Sequence, residues 1–303
     1  MSQRPFPFRT YLSYARRYFH GAREMRRHER VNPILPAPHR PEPAAWPDDR
    51  LTLAWLGHAT VLMNLYGTRA VTDPALRARI GISVPGATFD PRRLVAPALA
   101  PDELPPVDVV LLSHAHMDHT DLGTLRRLPR SAHAVVARGN GDLARRFRRV
   151  DELAWDESAR VHDGRLRVTG TPVRHWGARV IRDTHRGFGG FLLETRGRTV
   201  LFAGDTADTH RLLPSGWDRP VDVAIVPIGA YDPWIANHAT PEQAWRMANE
   251  AGARWIVPVH HGTFRLSREP MDEPLRRLLA AAGRERDRVV ITRIGETWTL
   301  PED

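Results

Sequence analysis

The segment VDVVLLSHAHMDHTD, residues 107 to 121, constrains this chain more than any other. Its apolar run is continuous rather than alternating, as in a strand buried on both faces within a mostly parallel sheet. The polar block behind it carries His114, His116, Asp118 and His119 within six residues. Imidazole and carboxylate are donors that suit zinc, manganese and iron. A strand end running into a short helix supplies the rigid backbone a metal site needs. Four donors on so short a loop exceed what one ion readily takes. The pattern therefore points to two ions sharing the loop, with further ligands drawn from elsewhere in the chain.

Three such ligands stand downstream. His175 in VRHWGAR, Asp205 in LFAGDTAD and His260 in IVPVHHGTF each follow an apolar segment. Functional loops gather at the C-terminal ends of strands in α/β folds. A polar turn of no chemical consequence would not be echoed three times. The chain has no cysteine, so disulfides and thiolate ligands are excluded and His, Asp and Glu must suffice.

Length and composition fit a soluble globular protein, with 303 residues and 42% hydrophobic content. No apolar run reaches the roughly 18 residues of a membrane span, and the N-terminus lacks the apolar core of a secretory signal. A cytoplasmic location is expected, with peripheral contact at the inner membrane surface through a basic arm. All 44 basic residues are arginine, and the net charge is +9. Residues 1 to 40 hold nine Arg against Glu24 and Glu29, a net of +7, which leaves +2 for the rest. A nearly neutral body lacks the basic track of a nucleic-acid-binding protein, so no nucleic-acid partner is expected.

The arm contains TYLSYARRYFHGAREMRRHER, in which Tyr11, Tyr14, Tyr18, Ala22 and Met25 recur at helical spacing. Two readings stand: a basic amphipathic helix on an anionic membrane, or a helix packed on the domain. NPILPAPHRPEPAAWP follows, and its six prolines imply an extended strap or linker. The organisation expected is an arm and strap over residues 1–49 and a single domain over 50–303. Within it LTLAWLG, TVLMNLYG, RAVTDP, VDVVLLS, HAVVA, RLRVTGTPV, GFLLET, RTVLFAG, VDVAIVPI and WIVPV read as strands. TDLGTLRRL reads as a short helix. TPEQAWRMANEAG reads as a longer one, with Thr240 as cap, Pro241 in its first turn and Gly252 at its end. Strands with interspersed helices argue for a layered α/β domain.

His114, Ala115, His116, Met117, Asp118 and His119, with a later single His, a GDT and a late His, resemble the signature of the metallo-β-lactamase superfamily. The resemblance covers roughly residues 50 to 300 and implies a four-layer αββα sandwich. The words WLGHATVLM, TDP, SHAHMDH, HWGAR, GDT, PIGAYDPW, NHATPEQA and HHGTF are similar to the N-acyl-phosphatidylethanolamine-hydrolysing phospholipase D group. The L-ascorbate-6-phosphate lactonase group shares part of them. The sequence departs at His261, where the mammalian phospholipase has Trp, and in DPWIAN, so acyl and headgroup specificity do not carry over.

By this resemblance His114, His116 and His175 hold one zinc, Asp118, His119 and His260 hold a second, and Asp205 bridges them. Asp73 in VTDP matches an early Asp that supports ligands. Two ions lower the pKa of a shared water, and the hydroxide held between them attacks phosphorus in a phosphodiester. Asp118 and His238 are the expected catalytic residues, with His238 donating to the phosphate or protonating the leaving group. His58 either lines the pocket or is a satisfied turn residue. Tyr231 either touches substrate or, the favoured reading, packs beneath its loop. His261 either supports the site or replaces His260. Asp108 and Asp222 read as turn residues, and His133, His162 and His185 as surface residues. The expected activity is zinc-dependent hydrolysis of an N-acyl-phospholipid-like phosphodiester. The rivals are a lactonase or phosphoesterase acting on a soluble metabolite, and a non-catalytic metal-binding protein. A lipid enzyme should expose apolar surface beside the metals.

Overall fold

Every residue of β1 (Leu51–Gly57) and β2 (Thr60–Leu65) is buried, so this hairpin lies inside the protein and not on its rim. The computed structural model describes residues 32–84, 87–89, 91–180 and 183–302. The basic helix expected between residues 10 and 30 lies outside them.

The first sheet adds β3 (Thr68–Thr72), β6 (Val109–Leu112), β7 (His133–Ala137), β8 (Arg149–Leu153) and β15 (Thr297–Thr299) to that hairpin. Its order is β15-β1-β2-β3-β6-β7-β8. Between β3 and β6 in the chain, β4 (Ile82–Val84) and β5 (Ala87–Phe89) form a separate antiparallel pair. The second sheet comprises β9 (Ser158–Val161), β10 (Leu166–Thr171), β11 (Gly190–Thr195), β12 (Arg198–Phe202), β13 (Val223–Pro227) and β14 (Trp255–Val259). Its order is β14-β13-β12-β11-β10-β9. In the first sheet β3, β6, β7 and β8 run parallel. In the second, β12, β13 and β14 do.

Leu53, Val110, Val168, Phe191 and Phe202, drawn from both sheets, belong to one buried apolar cluster. Each large side chain so buried contributes about 1.5–3 kcal/mol. The outer face of the second sheet is covered by α3 (Pro241–Glu250) and α4 (Glu273–Ala282), through Ala244, Met247, Leu278 and Ala282. Thr240 caps α3 as the sequence suggests: its Oγ1 accepts from Gln243 N, and Gln243 Oε1 accepts from Thr240 N. The other helical layer is reduced to one-turn helices, α1 (Leu122–Leu125) and α2 (Gly141–Ala144).

The proline-rich stretch is extended, but it is fastened to the domain and does not hang free as a linker would. Leu35 N donates to Leu94 O and Leu35 O accepts from Ala96 N, at 2.9 and 2.8 Å. Pro41 and Pro43 are buried. Among the described residues no helix is long and apolar enough to cross a membrane.

Candidate metal centre

Parallel pairing brings the strand ends that carry the polar residues to one end of the sandwich. In the first sheet β3 leads into Asp73 and β6 into His114. The register Thr72↔Leu111 sets them side by side, and Asp73 N donates to Leu111 O at 2.9 Å. In the second sheet β10 leads to His175, β12 to Asp205, β13 to the loop with His238, and β14 to His260. The cluster therefore draws on both sheets. They meet closely at Gly204, whose φ is +59° and where a Cβ would lie 2.7 Å from Ser113 Cβ. The glycine of the GDT word is required by that approach.

The donor atoms converge in two groups. His114 Nε2 is 2.8 Å, and His175 Nε2 3.3 Å, from His116 Nδ1. Asp118 Oδ2 lies 3.5 Å from both His119 Nε2 and His260 Nε2. Asp205 Oδ2 stands between the groups, 3.1 Å from His119 Nε2 and 3.2 Å from His260 Nε2. The same oxygen is 3.8 Å from His175 Nε2 and 4.0 Å from His114 Nε2.

Outer contacts decide which nitrogen faces inward with its lone pair. Asp73 Oδ2 accepts from Ser113 Oγ–H, whose oxygen accepts from His114 Nδ1 at 2.9 Å. His175 Nδ1 donates to Asn237 O at 3.0 Å. His119 Nδ1 donates to Asp73 Oδ2 at 2.7 Å. In neutral imidazole each of these bonds leaves Nε2 as an acceptor turned into the cluster. Ligating histidines are typically held from behind in this way.

Several buried atoms of the cluster residues have no hydrogen-bond partner: His116 Nε2, His119 Nε2, Asp205 Oδ1, His238 Nδ1 and both ring nitrogens of His260. So many orphaned polar atoms in one place are costly unless something polar or charged meets them. Electrostatics agrees. Burial holds His114 well below the ordinary imidazole range, His116 at about 4, and His58, His175 and His238 at about 3. For His119 and His260 burial acts the same way but is outweighed by Asp205 and Asp118, which raise His119 well above its usual value and His260 to about 9. Burial in turn opposes ionisation of Asp118 and Asp205, yet the surrounding imidazoles keep both well below the usual carboxylate range. The two carboxylates thus demand positive charge. A divalent cation meets that demand, and the donor set fits one.

The backbone is bent to hold the site. His58, Asp73 and His260 have φ of +54°, +33° and +63°, in or near the left-handed region that side chains disfavour. Each such residue costs about 1–3 kcal/mol, and strain of this kind gathers at functional sites.

His58 belongs to the cluster. It is buried, its Nε2 is 3.0 Å from Asp118 Oδ2, and its ring centroid is 4.2 Å from that of His260. Asp118 can only accept, so His58 Nε2 carries the proton. His238 sits with Nδ1 3.8 Å from Asp205 Oδ2 and its ring 5.1 Å from that of His175. The other candidates lie apart. Tyr231 does not turn toward the cluster: its hydroxyl donates to Glu273 Oε1 at 2.8 Å, and Arg277 lies over its ring. The positive φ of Ala230 turns the chain there. His261, unlike His260, joins none of the donor groups among the described residues, and its ring stacks on that of Trp55 at 4.6 Å. Asp108 accepts from Arg69 N and Asp222 from Thr199 N, as turn residues do. His133 pairs with Asp151, and His185 is exposed.

Sequence reasoning gave no role to three residues inside words it singled out. Ser113 links His114 to Asp73. Arg179 of HWGAR donates from Nη1 to Ala115 O and Thr120 O, both at 2.8 Å, clamping the His114–His119 loop. Thr206 of GDT ties three loops: its Oγ1 accepts from Arg174 N, and its O from Ala239 N. A chain with 44 arginines gives no sequence signal for one that matters.

A profile of the family described as "Beta-lactamase superfamily domain" matches residues 68–261. The chain is 35% identical over 283 residues to an uncharacterized protein of Mycobacterium tuberculosis, covering 89% of this chain and 74% of that one. It is 30% identical over 272 residues to N-acyl-phosphatidylethanolamine-hydrolyzing phospholipase D 1 of Caenorhabditis elegans, covering 82% and 75%. Among solved structures, Igni18, a metallo hydrolase of the archaeon Ignicoccus hospitalis, shares the fold with a TM-score of 0.59 at 22% identity, covering 84% and 99%.

Proposed function

This chain belongs to the β-lactamase superfamily, and from that premise we propose that it is a dinuclear zinc phosphodiesterase of phospholipase D type acting on an N-acyl-phospholipid-like substrate. At the coarser level it is a metal-dependent hydrolase. The observation that carries the finer reading is Asp205 Oδ2, poised 3.1 to 4.0 Å from nitrogens of both donor groups. In this reading His114, His116 and His175 would hold one ion and Asp118, His119 and His260 the other, with Asp205 available to both. The bound metal pair would supply a water of lowered pKa and offset charge on the phosphoryl oxygens.

The chain's own residues do the rest. Water adds to phosphorus, the bond from phosphorus to the alcohol oxygen breaks, and a proton lost by that water ends on the departing oxygen. His238, kept neutral by burial, presents an N–H to a phosphoryl oxygen without bringing a charge that must be desolvated. His58 fixes the rotamer of Asp118 through Nε2–H. Arg179 and Thr206 hold the loops in register.

The lipid side of the reading rests on the rim. Among the described residues the exposed large hydrophobics are Leu35, Val180 and Ile235. Two of them lie on the loops that carry the site: Val180 follows His175, and Ile235 precedes His238. Trp176 packs 4.4 Å from His116, and Trp234 stands half-buried beside Ile235. Apolar tips beside a polar cluster suit a substrate presented by a lipid surface. The relative from C. elegans, named for that reaction, favours the same substrate class.

The test is to incubate zinc-loaded protein with N-acyl-phosphatidylethanolamine vesicles and with a pool of soluble lactones and phosphomonoesters. Release of phosphatidic acid and N-acylethanolamine, abolished in His114→Ala, is expected. Metal-loaded protein that leaves the lipid intact while opening a lactone would sink the lipid reading.

A further inference from the structure

A second concave site lies at the opposite end of the sandwich. It is a groove of about 310 Å³ lined by Arg160, Arg165, Arg167, Arg196, Arg198 and Arg219, with Glu194 as the single carboxylate. Arg198 opens β12 and Asp205 follows its far end, so about 3.3 Å of rise per residue sets the groove roughly 20 Å from the metal centre.

The charge here is not balanced by its neighbours. Glu194 accepts from Arg219 at 3.0 Å and lies 3.6 Å from Arg167, while Arg198 pairs with Asp222 at 3.1 Å. Among the described residues Arg160, Arg165 and Arg196 meet no carboxylate, and Arg196 lies over the Tyr66 ring instead. The strand register makes matters worse. Arg160 of β9 stands directly opposite Arg167 of β10, and Arg167 opposite Glu194 of β11. Like charges facing each other across an antiparallel pair destabilise a sheet. Nothing in the packing calls for this pairing, because the three residues are in register across β9, β10 and β11 and so share one face of the sheet, with Arg160 and Arg167 exposed. An anion seated between the guanidinium groups would turn the repulsion into attraction. Planar guanidinium forks suit phosphate oxygens in particular.

We propose that this groove binds a soluble oligophosphate anion, a chain of two or three linked phosphoryl groups, at a site separate from the metal centre. Its position argues against a membrane. If the catalytic end meets lipid through Val180 and Ile235, a groove at the other end faces solvent. The groove lies between two hairpin turns, at Gly164 and Gly197, and its volume of about 310 Å³ is of a size for a small polyanion.

The experiment is titration calorimetry of the full zinc-loaded chain with sodium tripolyphosphate in 150 mM salt, beside thermal unfolding with and without it. One molecule should bind per chain and raise Tm. The double variant R160Q/R165Q should lose at least tenfold in affinity and lose the Tm rise. Its own Tm without ligand should equal or exceed that of the unaltered chain, since a repulsion has been removed, and this separates lost binding from lost folding. R284Q, at an exposed arginine elsewhere, should bind normally. Equal binding by R160Q/R165Q would place the anion on the metals and overturn the proposal. So would absence of binding at that salt. Phosphatidylserine vesicles or a single-stranded RNA retained more tightly than tripolyphosphate, and lost in the double variant, would reassign the groove and overturn it equally.

Discussion

Asp73 Oδ2 accepts from His119 Nδ1 at 2.7 Å, while Asp73 Oδ1 accepts from Ser113 N at the same distance. One carboxylate that touches none of the inward donor atoms thereby orients two sides of the cluster. It is fully buried, so each of its acceptor positions is committed. Asp73→Asn keeps the shape but turns an amide donor toward one of those N–H groups. The expected cost is about 1–3 kcal/mol of stability, together with weaker metal retention. Denaturant unfolding and metal analysis of the purified variant check both.

His58 supports Asp118 as Asp73 supports His119. Removing such a supporting partner commonly lowers metal affinity by about 10- to 100-fold. His58→Ala should therefore release one metal equivalent to a competing chelator well before the other, and His58→Gln, which restores an N–H, should recover part of the loss. Retention of both metals at the affinity of the unaltered chain would rule out this role.

His238 is assigned to substrate, not to metal. His238→Ala should keep its full metal content and lose about 100- to 1,000-fold in kcat, the usual worth of one oxyanion-stabilising donor. A loss of metal in step with activity would make it a ligand.

Without metal, stability should peak near neutral pH and fall on both sides. His260 is raised to about 9 by Asp205 and Asp118 against burial. Its contribution is full below the unfolded value near 6.5 and disappears as pH rises through 9. His58, His175 and His238 are lowered to about 3, chiefly by burial. They stay neutral in the folded site, and stability drains away as pH drops below 6.5, where the unfolded chain takes up protons that they refuse. Tm of the chelated protein from pH 4 to 10 should trace this dome. Metal should flatten its alkaline side, because cations replace the protons on His119 and His260.

Val180 and Ile235 should matter only at an interface. Val180→Ser with Ile235→Ser should raise the apparent KM on vesicles about tenfold, as two apolar anchors are lost, with little change on a short-chain soluble analogue. Equal effects on both substrates would assign the pair to packing.

Much of the site was legible in the sequence because each inward donor follows an apolar run: His114 after VVLL, Asp205 after RTVLF, His260 after WIVPV. Strand ends in a parallel arrangement converge, so order along the chain became proximity in space. His58 and Asp73 were harder. Their parts are set by hydrogen bonds across 60 and 46 residues, which no local pattern encodes. Tyr231 faces Glu273 and not the cluster because the chain turns at Ala230, a conformation unusual for alanine. Among the strands, β8 and β9 leave little sequence signal because RVDEL and SARV are short and half exposed, and β15 has only three residues. Helix α4 does carry a sequence signal, because Leu275, Leu278, Leu279 and Ala282 recur at helical spacing.

The close meeting of the two sheets at Gly204 and Ser113 has a mechanical consequence. A cation held, as proposed, by His114 from one sheet and Asp205 from the other would act as a rivet through the seam of the sandwich. Withdrawing it should loosen both rims together, so amide exchange at Ser113–Thr120 and at Gly204–Ala207 should quicken in concert, while the far hairpins keep their protection.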